Sequence, residues 1–350
     1  MSDFDTSDVD ADPELDELLA RAEDGDATAM VRLGTICVEE NLTAKAREWY
    51  NRAREAGEPT AYHGLASISQ AFGQNAEATE LYEQGIAAGD DECYLPAGQL
   101  MLLVGRSEDA IDLLQRGFAS GVSLCGTTLA NHYLRAGKRD EAESWFLRAA
   151  RHNEPAAAHV VAQIAQARAP VEHAIELHTF AADLGELDSL IAADLLADWR
   201  TDDPDELYDL ADDGDVGAMV SLGRSIAQEG DLSEAVEWLS AAVEGGSIRA
   251  LTALGDAFAD AGDAQEAEHW YRTAAESGDR LGTYHLGRLL IDAGREEEAI
   301  ALLEAGGTAE SFMLLDEAWA ALGDLTRAEA ALDELKDLVA RIEPPTLLHR

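Results

Sequence analysis

The chain has little of the chemistry that marks secreted or membrane-spanning proteins. Only three of its 350 residues are cysteines, Cys37, Cys93 and Cys125, so a disulfide framework is excluded. No apolar run approaches the ~20 residues that a membrane-spanning helix needs. The first residues are acidic, where a secretory signal would be basic and then apolar. We therefore expect a cytoplasmic protein.

Basic residues are equally scarce. Lys and Arg number 25 against 70 Asp and Glu, which gives a net charge of −45. A field of this sign repels phosphate backbones and anionic headgroups, so we expect no binding to nucleic acid or to membrane surfaces. Apolar residues make up 47% of the chain, enough to bury a core. Two explanations of the acidity stay open: a highly solvated surface, or adaptation to a high-salt cytoplasm.

The sequence repeats itself with a period of 32 residues. Small residues end successive units at this spacing, with two steps of 29 residues before Gly214 and Gly307: Gly25, Gly57, Gly89, Gly121, Asn153, Gly185, Gly214, Gly246, Gly278 and Gly307. Comparison of Asp16–Gly34 with Asp205–Gly223 gives identity at 12 of 19 positions. The chain is therefore a tandem array of about ten units.

Each unit has the pattern of two helices. In the unit that ends at Gly278, apolar residues recur at helical spacing on either side of a break at Gly262. Asp263 follows this break and is predicted to cap the second helix, with Glu266 three positions later. Sustained period-two alternation is absent, so we expect an all-α protein without strands.

Two recurring motifs resemble the tetratricopeptide repeat superfamily, and its Sel-one-like branch most closely. The first helices carry a Leu-Gly pair, as in Leu254-Gly255, and the second helices carry an aromatic pair followed by alanine, as in Trp270-Tyr271 with Ala274. The resemblance covers about residues 14–338. It implies a right-handed α-solenoid of about ten helix-turn-helix repeats, whose function is a non-catalytic scaffold or adaptor for a protein partner.

Departures from the repeat suggest how the chain is divided. We predict a disordered acidic tail over residues 1–13, repeat blocks over 14–200 and 201–338, and a frayed tail over 339–350. The junction is predicted near residues 198–206, because the unit before Gly214 is three residues short. Asp194 also occupies a column that is otherwise Gly or Ala, so this unit should pack less regularly.

The residues that often carry chemistry have simpler explanations here. Cys93 and Cys125 occupy a column that is alanine in other units, which favours small buried core positions. Four histidines cluster in sequence, but without the spacing of metal ligands: His152, His159, His173 and His178. Phosphate-binding loops and nucleophile elbows are absent. We therefore expect no enzyme activity, no cofactor and no metal.

The residue directly after each Leu-Gly pair is predicted to face the concave groove, as the resemblance implies. Neutral hydrogen-bonding side chains occupy this column in four successive units, and arginine occupies it in two later ones. The predicted peptide-binding residues are Ser67, Gln70, Gln99, Asn131, Gln163, Arg224 and Arg288. Amides can pair with the backbone of an extended peptide, and the arginines with its carboxylates. The alternative is a structural protein that self-associates, for example as a homodimer through one end of the array.

Overall fold

The computed structural model describes residues 13–201 and 203–349 of the chain. These residues form twenty-one α-helices and two short 3-10 helices, Asp91–Cys93 and Thr346–His349, and they contain no strand. The predicted acidic tail lies outside the described residues except for Pro13, with which the first helix begins. None of the described helices is long and apolar enough to cross a membrane.

The chain divides into two compact units, and the division falls between Trp145 and Phe146, within helix α9. The helices up to this division are α1 Pro13–Glu23, α2 Ala27–Glu39, α3 Thr43–Glu55, α4 Thr60–Ala71, α5 Asn75–Ala88, α6 Tyr94–Leu103, α7 Ser107–Ala119, α8 Leu124–Arg135 and α9 Arg139–Ala150. The helices of the second unit are α10 Pro155–Arg168, α11 Val171–Asp183, α12 Leu187–Asp198, α13 Pro204–Asp212, α14 Val216–Glu229, α15 Leu232–Glu244, α16 Arg249–Asp260, α17 Ala264–Glu276, α18 Arg280–Asp292, α19 Glu296–Leu303, α20 Ala309–Ala321 and α21 Leu325–Arg341.

In both units the helices are arranged as repeats. Helix α1 is followed by ten pairs, from α2–α3 to α20–α21. Within each unit, most consecutive helices pack on each other, and the first helices of successive pairs also touch, as α14 and α16 do. The prediction of an all-α helical-repeat solenoid is therefore confirmed. The predicted junction near residues 198–206 stays a prediction.

Local sequence determines where the helices begin and end. Asp263 caps α17 as predicted, because its side chain accepts a hydrogen bond from the backbone N–H of Glu266 at 3.2 Å. Gly278 follows α17 with a φ of +84°, a conformation that costs glycine nothing. Helix α6 begins at Tyr94, so Pro96 lies in its first turn, where a missing N–H is tolerated.

The glycine of the Leu-Gly pair makes room for a side chain of the second helix in the same repeat. A Cβ atom at Gly34 would lie 2.6 Å from the ring of Tyr50, and one at Gly255 would lie 2.4 Å from the ring of Tyr271. Both rings are buried. Gly34 and Gly255 therefore allow close packing within their two pairs, where a larger residue would collide with the ring.

The core includes the small positions that the sequence predicts. Cys93 and Cys125 are buried, and burial raises the pKa of both thiols, that of Cys125 to about 12. In the tryptophan column of the second helices, Trp49 and Trp145 are buried. Trp238 and Trp270 are only half-buried.

Helices far apart in the sequence of the second unit contact each other. Arg280 at the start of α18 forms ion pairs with Asp183 at the end of α11 and with Glu310 of α20, at 2.6 and 2.9 Å. The C-terminal segment, predicted as frayed, folds back in the described residues. Asn153 donates hydrogen bonds to the backbone carbonyls of Val339 and Ile342.

The contacts of this C-terminal segment are with residues far away in the sequence. Arg151, just after α9, donates to the carbonyl oxygen of Leu348, and the Leu348 side chain is 2% exposed. The backbone of Asn153 has a φ of +56°, which turns the chain after α9 and aims its amide at the end of α21. Helix α21 ends only at Arg341, inside the segment predicted as a tail.

Candidate functional site

The candidate site is the column of residues that follow the Leu-Gly pairs or, in the other repeats, the residues aligned with those pairs; it is here called the first-helix column. Its members lie in α2, α4, α6 and α8 of the first unit and in α10, α12, α14, α16 and α18 of the second: Thr35, Ser67, Gln99, Asn131, Gln163, Leu195, Arg224, Asp256 and Arg288. Each is partly or fully exposed. The structure shows which of these side chains already form hydrogen bonds or ion pairs within the protein.

In two pairs of the first unit, a tyrosine of the second helix reaches this column. The hydroxyl of Thr35 lies 3.2 Å from that of Tyr50, and the hydroxyl of Ser67 lies 3.3 Å from that of Tyr82. Tyr82 also donates to Oε1 of Gln70 at 3.1 Å. Burial raises the pKa of both tyrosines, so their hydroxyls stay protonated. Ser67 and Gln70 are therefore partly engaged inside the protein.

Gln99 and Asn131 differ from these residues. Both amides are exposed, and neither has a hydrogen-bond partner among the described residues. The tyrosine position fifteen residues later is occupied by Leu114 and Phe146, which carry no hydrogen-bonding group. The full hydrogen-bonding capacity of these two amides is consequently available to a ligand.

In the first pair of the second unit, the amide belongs to a network of histidines. Nε2 of Gln163 lies 2.8 Å from Nε2 of His159, and Nδ1 of His159 lies 2.6 Å from the hydroxyl of Ser189. His178 approaches the same hydroxyl at 3.3 Å and Oε1 of Gln166 at 3.3 Å. Burial, followed by the proximity of His159, lowers the pKa of His178 to about 4.

Two of the four clustered histidines, His159 and His178, thus come together around Ser189. Their ring centroids are 5.9 Å apart, and Ser189 is fully buried. A buried hydroxyl is out of reach of a substrate. This network therefore provides hydrogen-bond partners for buried polar groups of the core. Among the described residues, no group of three His, Cys, Asp or Glu side chains could hold a metal ion.

Arg224 is committed to an internal ion-pair cluster. Its guanidinium pairs with Asp194, and the two side chains are only 13% and 9% exposed. Arg249 binds the neighbouring Asp198 with both ends of its guanidinium, at 2.8 and 2.6 Å. Burial raises the pKa of Asp194, and the nearby Arg224 opposes that shift. The ion pair therefore joins α12 to α14. Arg224 compensates the charge of Asp194, which stands in a column that otherwise holds Gly or Ala.

Arg288 and Asp256 also have internal partners. Arg288 pairs with Glu317 of α20 at 2.6 Å, and both side chains are exposed by more than a third. Tyr271 donates to Oδ1 of Asp256 at 2.7 Å. His285 stacks on Tyr271 with ring centroids 5.1 Å apart, and its Nε2 lies 3.8 Å from the same Asp256 oxygen. The arginines are therefore less available than the sequence suggests.

A cleft of about 400 Å³ lies beside these residues in the second unit. It is bounded by α12, α14, α16 and α18, with Tyr271 of α17 at one wall. Its polar lining consists of Asp194, Arg224, Gln228, Asp256, Asp260, Tyr271 and His285. The apolar lining consists of Ile191, Leu195, Leu281 and alanines of α14 and α16.

Sequence reasoning missed the pairing between the two helices of a repeat. The residue fifteen positions after the first-helix column is Tyr, His, Leu or Phe, and a tyrosine or histidine there lies beside a polar partner on the first helices. The position of this tyrosine or histidine can be read from the sequence once the two columns are aligned. The ion pair between Asp194 and Arg224 is also visible in the sequence, as an aspartate in the Gly/Ala column followed by an arginine 30 residues later.

Known repeat families match several segments of the chain. One tetratricopeptide repeat profile matches residues 10–59 and 252–311, and a second matches residues 127–158. A Sel1 repeat profile matches residues 215–247. No curated protein sequence matches the chain significantly.

Several solved structures are similar in arrangement at low sequence identity. The protective antigen c5321 of uropathogenic Escherichia coli, which displays an SLR fold, is 16% identical, with 96% of each chain covered and a TM-score of 0.35. YrrB, a TPR protein with an unusual peptide-binding site, is 17% identical, with 75% of this chain and 93% of that chain covered and a TM-score of 0.26. A chain of the APC/C hetero-tetramer Cut9-Hcn1 is 14% identical, with 91% and 80% covered and a TM-score of 0.35.

Proposed function

We propose that this chain, a repeat protein of the tetratricopeptide and Sel1-like kind, is a non-catalytic scaffold or adaptor that binds an extended segment of a protein partner. The binding surface is the first-helix face, which is the concave face of such arrays. Stacked helix pairs provide a long surface of this kind, on which each repeat contributes one or two side chains.

The observation that carries the proposal is the pair of free amides in the first unit. Gln99 and Asn131 occupy equivalent positions in successive repeats, are exposed, and have no partner among the described residues. A primary amide both donates and accepts, so it can pair with a backbone C=O and N–H of an extended peptide. Backbone pairing depends little on peptide sequence, which suits an adaptor.

The other predicted residues have graded roles in this proposal. Ser67 and Gln70 share the hydroxyl of Tyr82 and are available to a ligand after a small rearrangement. Gln163 has an exposed amide, but its nitrogen already contacts His159. Arg288 can bind a carboxylate of the ligand in place of the exposed Glu317. Arg224 contributes least, because its carboxylate partner is buried with it.

The test begins with a partner identified by pull-down from the source cell and then prepared in pure form. Gln99→Ala with Asn131→Ala should weaken its binding about tenfold, because each lost hydrogen bond to a ligand contributes about 0.5–1.5 kcal/mol. The matched control is Gln84→Ala with Gln115→Ala, which removes two exposed amides from the second helices α5 and α7. Equal affinity of the two double variants, at unchanged unfolding midpoints, would contradict the proposal.

Self-association is a second candidate function. The last helix pair exposes two large apolar side chains at its turn, Leu322 at 46% and Leu325 at 66%. A second copy of the chain could bury them. Light scattering should then show a concentration-dependent dimer that Leu322→Ser with Leu325→Ser abolishes; a monomer at all concentrations would exclude this function.

A further inference from the structure

The turns between the two helices of each repeat lie along one edge of the first unit, and in three successive repeats this edge carries exposed apolar side chains. The first helices of these repeats run in the same direction, so their C-terminal ends are neighbours. Phe72 follows α4 directly and is 66% exposed, Leu103 ends α6 and is 76% exposed, and Leu134, near the end of α8, is half-exposed. Single exposed apolar residues are normal at a surface, but a row of them in neighbouring repeats indicates a surface that another molecule covers.

The last turn of this row also carries unpaired positive charge. Arg135, Lys138 and Arg139 are exposed, and none of them forms an ion pair with any residue that the structure describes. In the repeat before, Arg106 has the position of Lys138 and is paired with Asp109 at 2.8 Å. Three unpaired cations stand out in a chain with 70 acidic and only 25 basic residues. The apolar row and these cations are here called the turn edge: Phe72, Leu103, Leu134, Arg135, Lys138 and Arg139.

Two of the three cations do not stabilise the helix at which they lie. Arg139 is the first residue of α9 and Lys138 directly precedes it, where the positive end of the helix dipole disfavours a cation. Lys138 has the repeat position of Asp263, whose carboxylate caps α17. The following Asp140 and Glu141 are exposed and form no ion pair with the two cations. A carboxylate from another molecule would balance the charge at this turn.

We infer that the turn edge binds an acidic segment of the partner, whose large apolar side chains cover Phe72, Leu103 and Leu134 and whose carboxylates pair with the cations. Charge complementarity selects this kind of occupant, because the rest of the chain repels an acidic segment and only this turn attracts one. The inference rests on the proposed function, since it names the chemistry of the partner. It places the acidic contact in the first unit, whereas the sequence predicted it at Arg224 and Arg288.

The turn edge is continuous with the two free amides. Leu103 lies one helical turn after Gln99 in α6, and Arg135 lies one turn after Asn131 in α8. All four side chains are exposed. One segment of the partner can therefore contact the amides with its backbone and the turn edge with its side chains.

The test uses short, capped Ala/Ser peptides with two leucines and two variable positions that hold Glu, Gln or Lys. A fourth peptide keeps the glutamates and has serine in place of the leucines. Binding to the full chain is measured by fluorescence anisotropy with an uncharged dye, at about 0.15 M KCl. The Leu/Glu peptide should bind about fivefold tighter than the Leu/Gln peptide and about tenfold tighter than the Ser/Glu peptide. The net charge of the chain favours the lysine peptide instead, so the inference is overturned if that peptide binds tightest, if Glu and Gln peptides bind equally, or if the Leu/Glu peptide does not bind.

A first pair of variants locates the apolar part of the site. Leu103→Ser with Leu134→Ser should weaken binding of the Leu/Glu peptide about tenfold, because two apolar contacts are lost. The matched control is Leu124→Ser with Ile248→Ser, which changes two apolar residues, 49% and 46% exposed, at the opposite ends of first helices. Equal weakening by both double variants contradicts the inference.

A second pair of variants tests the cations at constant net charge. Arg135→Gln with Arg139→Gln should weaken the Leu/Glu peptide about three- to fivefold, as expected for exposed charge pairs. Arg32→Gln with Arg54→Gln removes two arginines of α2 and α3 that also have no ion pair in the described part of the chain, and it should have little effect. If both variants weaken binding equally, the attraction is unspecific and the inference is wrong.

Light scattering identifies the other possible occupant, a second copy of the chain. A dimer that Leu103→Ser with Leu134→Ser abolishes, together with no binding of the Leu/Glu peptide, would assign the turn edge to self-association and overturn the inference. The peptide measurements do not need the partner, and they use variants other than Gln99→Ala with Asn131→Ala. The inference and the proposed function can therefore fail separately.

Discussion

At the scale of single residues, each glycine of a Leu-Gly pair lies against a side chain of the second helix, and at Gly255 this side chain is the ring of Tyr271. Tyr271 is 4% exposed and is held by its hydrogen bond to Asp256, so the ring cannot move away from Gly255. An added methyl group would lie 2.4 Å from ring carbons. We predict that Gly255→Ala lowers the free energy of unfolding by about 1–3 kcal/mol, as overpacking does. Alanine's better helix propensity, worth about 1 kcal/mol, offsets only part of this loss.

Urea denaturation of a double-mutant cycle checks this explanation. In a Tyr271→Ala background the collision is absent, so Gly255→Ala should be neutral or stabilising there. A similar cost of Gly255→Ala in both backgrounds would show that the ring is not the cause.

His178 provides a second test at residue scale, through pH. Its pKa is lowered from 6.5 to about 4 in the folded protein, chiefly by burial. In the unfolded chain it gains a proton as the pH falls below about 6.5, while the folded form stays neutral down to about 4. This residue should therefore reduce stability by about 1–3 kcal/mol as the pH falls through this window.

The measurement compares unfolding free energies between pH 7 and pH 4. His178→Leu, which introduces the residue found at position 114 of the same column, should flatten the pH dependence in this window. His269→Gln changes an exposed histidine and should leave the dependence as it is in the parent protein. An equal slope in the parent and His178→Leu proteins would rule out this role.

The positions of the candidate site residues in their helices could be predicted from the sequence, but the hydrogen bonds that these residues form within the protein could not. The period, together with what the family resemblance implies, assigned Gln99 and Asn131 to exposed positions of the first helices. The periodicity did not reveal that Tyr82 engages Ser67 and Gln70, because this depends on the residue in a second column. The sequence therefore predicted that one column lies at the surface, while the availability of its side chains also depends on a second column.

At the scale of elements, short-range rules were sufficient for the helices. Each helix pair occurs where the 32-residue period places it, since amphipathic spacing, aspartate caps and positive-φ glycines all act within a few residues. The C-terminal segment is different. Its contacts with Arg151 and Asn153 join residues separated by 186–197 positions. Such contacts depend on small rotations that accumulate from repeat to repeat, which no local pattern encodes.

The contacts of Asn153 predict a local effect of substitution. Asn153→Gly keeps the backbone at its positive φ but removes the hydrogen bonds to Val339 and Ile342. We expect faster amide hydrogen exchange and faster proteolysis at the end of α21 and in residues 342–349, with local protection reduced by about 1–3 kcal/mol.

A second asparagine in the chain offers a matched control. Asn41 also has a positive φ, of 58°, but its amide makes only one long, local hydrogen bond, to the carbonyl of Glu39. Asn41→Gly should leave exchange at the C-terminal segment unchanged. If both variants behave alike there, the amide of Asn153 does not hold this segment.

At the scale of the whole molecule, charge is the dominant feature. Even if each of the 25 basic residues paired with one carboxylate, 70 − 25 = 45 carboxylates would remain without a cation. Their mutual repulsion opposes the compact state. Salt shortens the Debye length from about 10 Å at 0.1 M to about 3 Å at 1 M, which screens this repulsion. Salt also weakens exposed ion pairs, but these contribute little individually.

We therefore predict that the thermal unfolding midpoint rises by several degrees between about 0.1 and 1 M KCl, a range that removes most long-range repulsion. Circular dichroism melts measure this, with choline chloride at equal ionic strength as the control, because screening does not depend on which monovalent cation supplies it. The range above 1 M separates the two explanations of the acidity. A midpoint that levels off there indicates only a solvated acidic surface, whereas one that continues to rise in KCl but not in choline chloride indicates adaptation to high salt. A midpoint that falls with KCl would mean that ion pairs such as Arg280 with Glu310 stabilise the fold more than the excess charge destabilises it.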